Sequence, residues 1–551
     1  MQPRYHIPVL SLALFLSMLV LAGCGLDGLG LNWAKDALSS AGDNTSGATD
    51  GGGGSSGGGS SGGSSDTRFS GTWIAAYGDD VATSETDFGK NEYAVRLVLT
   101  QNRTSITGSG TMFRVFREGA VAADEITLSV TGTASDDDAR IYLSSNDFDY
   151  TPVWYLRLAD DYMVGVYYAL DANDAVARSG CGIWHEVDSS DIESAWVAGF
   201  TDSYPGSGTD KYDRTATLVL AAASDSTLDG SGTLIHQQEG AVPLELDFNV
   251  TQGAVDGSQA AFSFGGVDLA TTPMDWYAFL NEDVMVGAYA QFDATDTLEE
   301  NGYATWYASS TPTPESFEHI WVTSFCDATP SRTADYLIVA DLDVNGNNVS
   351  GSAQVLDESA AAPAFATYTV QNGTVVGSLL EMDLVGSSST FSWALRLGGS
   401  TLTGSYQQTS TTGDFISRGS ADWRYGSTSS LEGTWAASYY DTVFTADAPS
   451  SQLALVTVSN VTVNGTITGL GALRLAGESS RRVFSMSGTQ AQNQIIWTWS
   501  GTDLFGDTVW HLRKVGDFLY GTYTNYDSAG DVEFSGHALY LRTDETSSYS
   551  E

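Results

Sequence analysis

Trp154, Leu156 and Leu158 alternate with Tyr155 and Arg157, and Met163, Gly165 and Tyr167 resume the same rhythm after a short polar break. A two-residue period marks a β-strand with one apolar face. The break, Ala159 to Tyr162, predicts a hairpin pairing 158 with 163, 156 with 165 and 154 with 167. That register sets Trp154 opposite Tyr167 and Gly165 opposite Leu156, all on one face. A loop follows, then a last strand from Gly180 to Trp184.

The pattern recurs. Gly165, Tyr167, Gly180 and Trp184 stand 11, 13, 26 and 30 residues after Trp154. The same offsets run from Trp276 (Gly287, Tyr289, Gly302, Trp306) and from Trp393 (Gly404, Tyr406, Gly419, Trp423). They run again from Trp510 (Gly521, Tyr523, Gly536), with Tyr540 in place of the last Trp. Each repeat opens on its own tryptophan strand, at Trp73, Trp196, Trp321 and Trp435. Apolar strands such as Leu97-Val98-Leu99 and Leu218-Val219-Leu220 come next. Turn signals divide each repeat into about eight strands, with no convincing helix.

The expected fold is all-β: four tandem up-and-down antiparallel eight-stranded barrels, since closure removes exposed sheet edges. Boundaries fall at residues 69–188, 189–312, 313–428 and 429–543, with a polar tail at 544–551. A propeller is the structural alternative, but a repeat this long fits whole domains better than blades of about 45 residues. The linkers are short, so neighbouring domains should touch. The fixed aromatic positions read as core: Trp154, Tyr167, Trp276, Tyr289, Trp393, Tyr406, Trp510 and Tyr523 plug the barrels together with the four opening tryptophans. Their functional alternative is a stacking platform for sugars or a pocket lining.

The Gly-x-Trp opening and eight-strand order resemble the calycin group, the lipocalin and avidin families. That resemblance implies a basic residue on the last strand packed over the first-strand Trp, a place Arg542 fills in the fourth repeat. The aligned residues elsewhere are Glu186, Ala308 and Tyr425, and Arg424 is one position out of register and faces the other way. It also implies, as a rival function, a carrier holding a small apolar ligand in each barrel.

Residues 1–23 read as an export signal: Arg4, an apolar run from Ile7 to Leu21, then small residues. Leu21-Ala22-Gly23-Cys24 resembles the lipobox of bacterial lipoproteins, which implies lipidation at Cys24 and, with Gly25 next, the outer membrane. Residues 24–68 then form a tether rich in Gly and Ser. A flexible chain of that length has an r.m.s. reach of about 35–40 Å.

Net charge is −45 and spread over every repeat, which disfavours nucleic acid and anionic headgroups as partners. Cys181 and Cys326 are the other cysteines, and a disulfide between them would join the first and third repeats. Asp341 to Gly346 begins like an EF-hand loop, but Ser352 stands where the bidentate Glu belongs, and a turn explains the Asn-Gly. The loops Asp171 to Asp174, Asp293 to Asp296 and Asp527 to Asp531 offer at most weak Ca²⁺ binding. His185-Glu186 lacks the second His of a zinc-protease motif, with Ser189 in its place. His236, His319, His511 and His537 share no repeat position, so no repeated metal site is expected. No nucleophile elbow or phosphate loop occurs, and no carboxylate pair recurs between repeats.

The expectation is therefore a lipid-anchored envelope protein, periplasmic or surface-facing. Its work is non-catalytic binding, adhesion or structure, with no cofactor and an unknown protein, glycan or small apolar ligand as partner. The alternatives are the calycin-like carrier and an enzyme or enzyme inhibitor acting through variable loops. A carrier should show open apolar cavities in several repeats, and an enzyme one repeat with a unique polar cluster.

Overall fold

The computed structural model describes residues 67–543, apart from segments 83–90, 117–122, 171–175, 188–194, 206–211, 223–225, 239–240, 267–272, 328–333, 359–362, 427–429 and 445–450 and positions 149, 294, 296, 442, 479, 493, 503, 505 and 528. Cys24, the tether and the polar tail lie outside the described residues.

Each repeat is a closed antiparallel barrel of eight strands joined in chain order. In the first barrel these are Gly71–Gly78, Asn91–Asn102, Ser105–Phe116, Asp124–Ser135, Asp138–Ser144, Pro152–Ala159, Tyr162–Leu170 and Val176–Glu186. Closure pairs the first strand with the last inside one repeat, at Trp73↔Glu186, Trp196↔Ala308, Val322↔Arg424 and Trp435↔Arg542. A two-residue strand (Val81–Ala82, Tyr204–Pro205, Val443–Phe444) lengthens the edge of the last strand in barrels 1, 2 and 4.

The hairpin register follows from loop length. Trp154 pairs with Tyr167, Trp276 with Tyr289, Trp393 with Tyr406 and Trp510 with Tyr523. The paired rings lie 5.0, 4.8, 4.7 and 4.6 Å apart inside the barrels. The repeat glycine of the last strand makes room for that tyrosine. A β-carbon at Gly180 would stand 2.5 Å from the Tyr167 ring, and one at Gly536 would stand 2.7 Å from the Tyr523 ring. At the barrel floor the first-strand indole N–H donates to a carbonyl four residues back, Trp321 to Phe317 and Trp435 to Leu431, each at 3.0 Å. Phe69, Phe317 and Leu431 are buried there as stoppers. Arg542 lies 5.7 Å from the Trp435 ring centroid, and in barrel 3 Tyr425 covers Trp321 instead, at 4.8 Å.

The four barrels close into a ring. The first and second strands of each barrel pack on the last three strands of the next, and those of barrel 4 pack on barrel 1. Head-to-tail contacts of this kind close a ring when the rotation between units allows it. Three of the interfaces are apolar. Ile74, Phe113 and Val115 meet Tyr277, Phe279 and Val286 between barrels 1 and 2. Val322, Leu337 and Leu356 meet Val515 and Tyr520 between barrels 3 and 4. Ala436, Leu453 and Leu455 meet Tyr155, Val164 and Val166 between barrels 4 and 1.

The contact between barrels 2 and 3 is polar and close. Thr215 Oγ1 lies 2.8 Å from Ser405 Oγ, the Gly199 amide donates to Thr403 Oγ1 at 2.7 Å, and Arg418 pairs with Asp213 at 2.5 Å. A β-carbon at Gly199 would sit 2.5 Å from the Gly404 Cα, so only glycine permits this approach. Cys181 and Cys326 form no disulfide with each other, and the two lie on different interfaces of the ring.

Candidate functional site

Inside each barrel a constant layer sits beneath a variable one. The constant layer is the Trp–Tyr pair with its glycine. Above it, a buried aspartate directly follows each first strand, six residues after its tryptophan: Asp79, Asp202, Asp327 and Asp441. The sequence expectation that no carboxylate pair recurs therefore missed a single recurring carboxylate. This aspartate is a peg. It accepts the repeat tyrosine hydroxyl from Tyr167 in barrel 1, and at 2.6 Å from Tyr289 and Tyr523 in barrels 2 and 4. It also accepts the amide that starts the next strand segment, from Asn91 and Tyr212 at 2.8 Å and from Ala334 at 3.0 Å. In barrels 1 and 2 the peg so ties the first loop to the barrel core.

The variable layer decides what each mouth holds. Opposite Tyr77, Phe200, Phe325 and Tyr439 the second strand places Tyr93, Arg214, Tyr336 and Gln452. In barrel 1, Tyr93 and the Arg178–Asp79 ion pair fill the space. Burial pushes the Asp79 carboxyl upward against the pull of Arg178 and Tyr167. Arg214 occupies the mouth of barrel 2, paired with Asp202 and Glu300. Barrel 3 closes with Tyr336, Gln408 and Ser417, linked at 3.0 and 2.6 Å.

Barrel 4 carries the short Gln452 at this position and opens into a cavity of about 290 Å³. Trp499, stacked on Phe484 at 4.3 Å, forms one wall, and Tyr439 and Tyr523 lie below. Gln452 donates to Asp441 at 2.7 Å, and the Glu478–Arg482 pair at 2.6 Å stands at the cavity. Asn525 donates to Thr508 at 2.9 Å, while its carbonyl oxygen is buried with no hydrogen-bond partner. An aromatic wall with an unsatisfied acceptor and fixed polar groups suits a small polar ligand. The expectation of plugged interiors thus holds at the constant layer and fails at this one mouth.

A second cavity, about 520 Å³, lies at the centre of the ring and is lined by all four barrels. Arg424 projects into it from barrel 3, facing away from Trp321 as its register requires. Its guanidinium lies 4.4 Å from the Phe518 ring centroid of barrel 4 and 5.8 Å from that of Tyr307 in barrel 2. Tyr307 donates to Asp422 at 2.6 Å. Burial opposes the charge on Arg424, but Tyr520, Tyr307, Tyr162 and Asp422 outweigh it and hold its pKa above the usual range. Burial and then the Arg424 charge push His185 of barrel 1 down to about 4, so its imidazole is neutral at pH 7.

The predicted aromatic positions are all core: Trp73, Trp154, Trp196, Trp276, Trp321, Trp393, Trp435 and Trp510, with Tyr167, Tyr289, Tyr406 and Tyr523, are at most 3% exposed. Two of the acidic loops use their carboxylates locally. Asp293 accepts the Thr295 and Thr297 amides at 2.8 and 2.9 Å, and Asp527 accepts those of Ala529 and Asp531 at 2.8 and 2.9 Å. Asp171 to Asp174 fall outside the described residues. The Asp341 to Gly346 segment is the end of a strand and its turn, with Asn345 paired to Asn348 and Gly346 at φ +61°.

No protein-family model matches the chain, and no curated protein does. Among solved structures it is similar to a protein of unknown function of the DUF3598 family from Nostoc punctiforme, at 13% identity and TM-score 0.15, covering 44% of this chain and 97% of that one. It is also similar to transferrin binding protein B from serogroup B Neisseria meningitidis, at 9% identity and TM-score 0.19, covering 72% and 85%. A transferrin binding protein B double mutant from Haemophilus parasuis matches at 11% identity and TM-score 0.18, covering 70% and 83%. Likenesses this weak carry no function across.

Proposed function

We propose that the chain is a non-catalytic binding module of the bacterial cell envelope, anchored by a lipid on Cys24 and engaging its partner through barrel mouths and loops. The filled constant layer carries this reading. With a Trp–Tyr pair crossing each barrel, an eight-stranded interior has little room for an acyl chain. Recognition then falls to the variable layer, and above all to the mouth of barrel 4. Its polar groups Asp441, Gln452, Glu478 and Arg482 engage one another or Tyr523. That supports a site built to hold a ligand rather than to move protons. The ring supports the same role, because it carries four sets of loops on barrels packed against one another.

The test against the carrier reading is tryptophan fluorescence of the full chain during titration with fatty acids. No saturable change is expected. Saturable quenching at micromolar ligand, near one equivalent per barrel, would replace this reading with the carrier.

The anchor is tested separately. Cys24→Ser should release soluble protein or leave unprocessed precursor, followed by membrane fractionation and labelling with radioactive palmitate. Undiminished lipid label with unchanged fractionation would sink the anchor.

A further inference from the structure

The four ring interfaces meet at one equivalent rung, and each fills it differently. The last residue of the first strand and its partner on the second strand face the next barrel: Gly78 with Glu92, Thr201 with Asp213, Cys326 with Asp335, and Tyr440 with Ser451. Against them the next barrel sets the residues on either side of its repeat glycine. For Asp213 these are Arg418 and Ser420, the first an ion-pair partner at 2.5 Å, the second bonded to Thr201 at 3.0 Å. For Ser451 they are Ser179 and Cys181, and the Ser451 hydroxyl lies 3.3 Å from that of Ser179. For Asp335 they are Ser535 and His537.

Asp335 and Asp213 are thus equivalent buried carboxylates with different neighbours. Arg418 brings a full positive charge to Asp213, and Ser535 stands in its place opposite Asp335. The Ser535 hydroxyl donates to one Asp335 oxygen at 3.0 Å, and His537 Nδ1 lies 3.3 Å from the other. Cys326 stands beside them, and its sulfur, an imidazole nitrogen and a carboxylate oxygen all lie within 4.8 Å of one another.

We propose that Cys326, Asp335 and His537 form a Zn²⁺ site between barrels 3 and 4, with its fourth position open to the ring cavity. Three features of the chemistry favour zinc. A thiolate with an imidazole is a borderline-soft donor set that Mg²⁺ and Ca²⁺ do not prefer. Tetrahedral bonds of about 2.0–2.3 Å place ligand atoms roughly 3–4 Å apart, a small contraction of the spacing present. A divalent cation also offsets the charge of the Asp335 carboxylate, whose side chain is fully buried. Ser535 holds the second carboxylate oxygen, as outer partners of metal ligands commonly do. Cys326 and His537 both line the central cavity, so water or a ligand atom there can complete the coordination. The donors come from two repeats, and Cys, Asp and His stand together at this rung in one interface alone, so the sequence repeat does not mark the site. It is independent of the ligand held by barrel 4.

The test is metal titration of the full-length protein in detergent after chelator treatment. Co²⁺ should give a thiolate-to-cobalt charge-transfer band, and Zn²⁺ should abolish it at one equivalent per chain. Cys326→Ser should lose the band and that equivalent, while Cys181→Ser keeps both. Ser535→Ala, which leaves all three ligands in place, should weaken Zn²⁺ binding about 10–100-fold. Near-ultraviolet circular dichroism reports whether each variant is folded. Absence of the band from the unmodified protein overturns the site. So does Zn²⁺ uptake equal in Cys326→Ser and the unmodified chain, which would place the metal on surface carboxylates.

Discussion

Trp435→Ala is expected to cost about 3–5 kcal/mol, the range for truncating a fully buried Trp. Trp435 is 0% exposed at the floor of barrel 4. Its indole donates to Leu431, and Arg542 and Lys514 each lie 5.7 Å from its ring. Truncation leaves a void that strand closure cannot fill, because Trp435 pairs with Arg542 on the last strand of its own repeat. Barrel 4 should therefore loosen first. Hydrogen exchange in the strands 433–440 and 532–543 should rise well before that of barrel 3. The contact of Ala436, Leu453 and Leu455 with barrel 1 should weaken with it. A loss below 1 kcal/mol, or equal loosening of all four barrels, would refute a core assembled repeat by repeat.

How far the sequence carries the reader depends on whether a feature lies inside one repeat. The Trp154–Tyr167 register could be read because loop length and the two-residue period fix it, and four copies at identical offsets remove the ambiguity of one. The ring could not. Its apolar faces are Tyr155, Val164 and Val166, the outward positions of strands whose inward positions are also apolar, and a single strand buried on both faces does not say what covers it. Arg424 was placed outside its own barrel by register, but its destination among Tyr307, Tyr162 and Phe518 needs three other barrels. The buried aspartate was legible in principle as Trp-x5-Asp in every repeat. It belongs to no recurring carboxylate pair: the partners that recur are a tyrosine hydroxyl and a backbone amide. The open mouth rests on one inward residue, Gln452 where Tyr93, Arg214 and Tyr336 stand elsewhere, a difference of volume that no motif records.

The peg and the variable layer meet in barrel 2, where the second large effect is expected. Arg214 is fully buried and pairs with Asp202 and Glu300, and its Nε donates to His236 Nε2 at 3.2 Å. Burial and the Arg214 charge push His236 down to about 2, so its ring accepts that bond as the neutral form. Burial and then Asp202 push the Glu300 carboxyl upward, and Arg214 opposes them. Arg214→Met removes the cation and leaves two carboxylates together without it. Breaking a buried ion pair from one side typically costs about 3–5 kcal/mol. The loss should depend on pH in a definite direction. Without Arg214 the Glu300 pKa rises further above its unfolded value, so between the two values the folded state holds the extra proton and stability falls as pH rises. The deficit should therefore be smaller at pH 5 than at pH 8, followed by denaturant unfolding with hydrogen exchange reporting barrel 2. Adding Glu300→Gln to Arg214→Met should recover part of the loss and flatten its pH dependence, because a neutral amide needs no cation. A loss under 1 kcal/mol at pH 8, or a deficit that shrinks as pH rises, would show that Arg214 is not what balances the Asp202 peg.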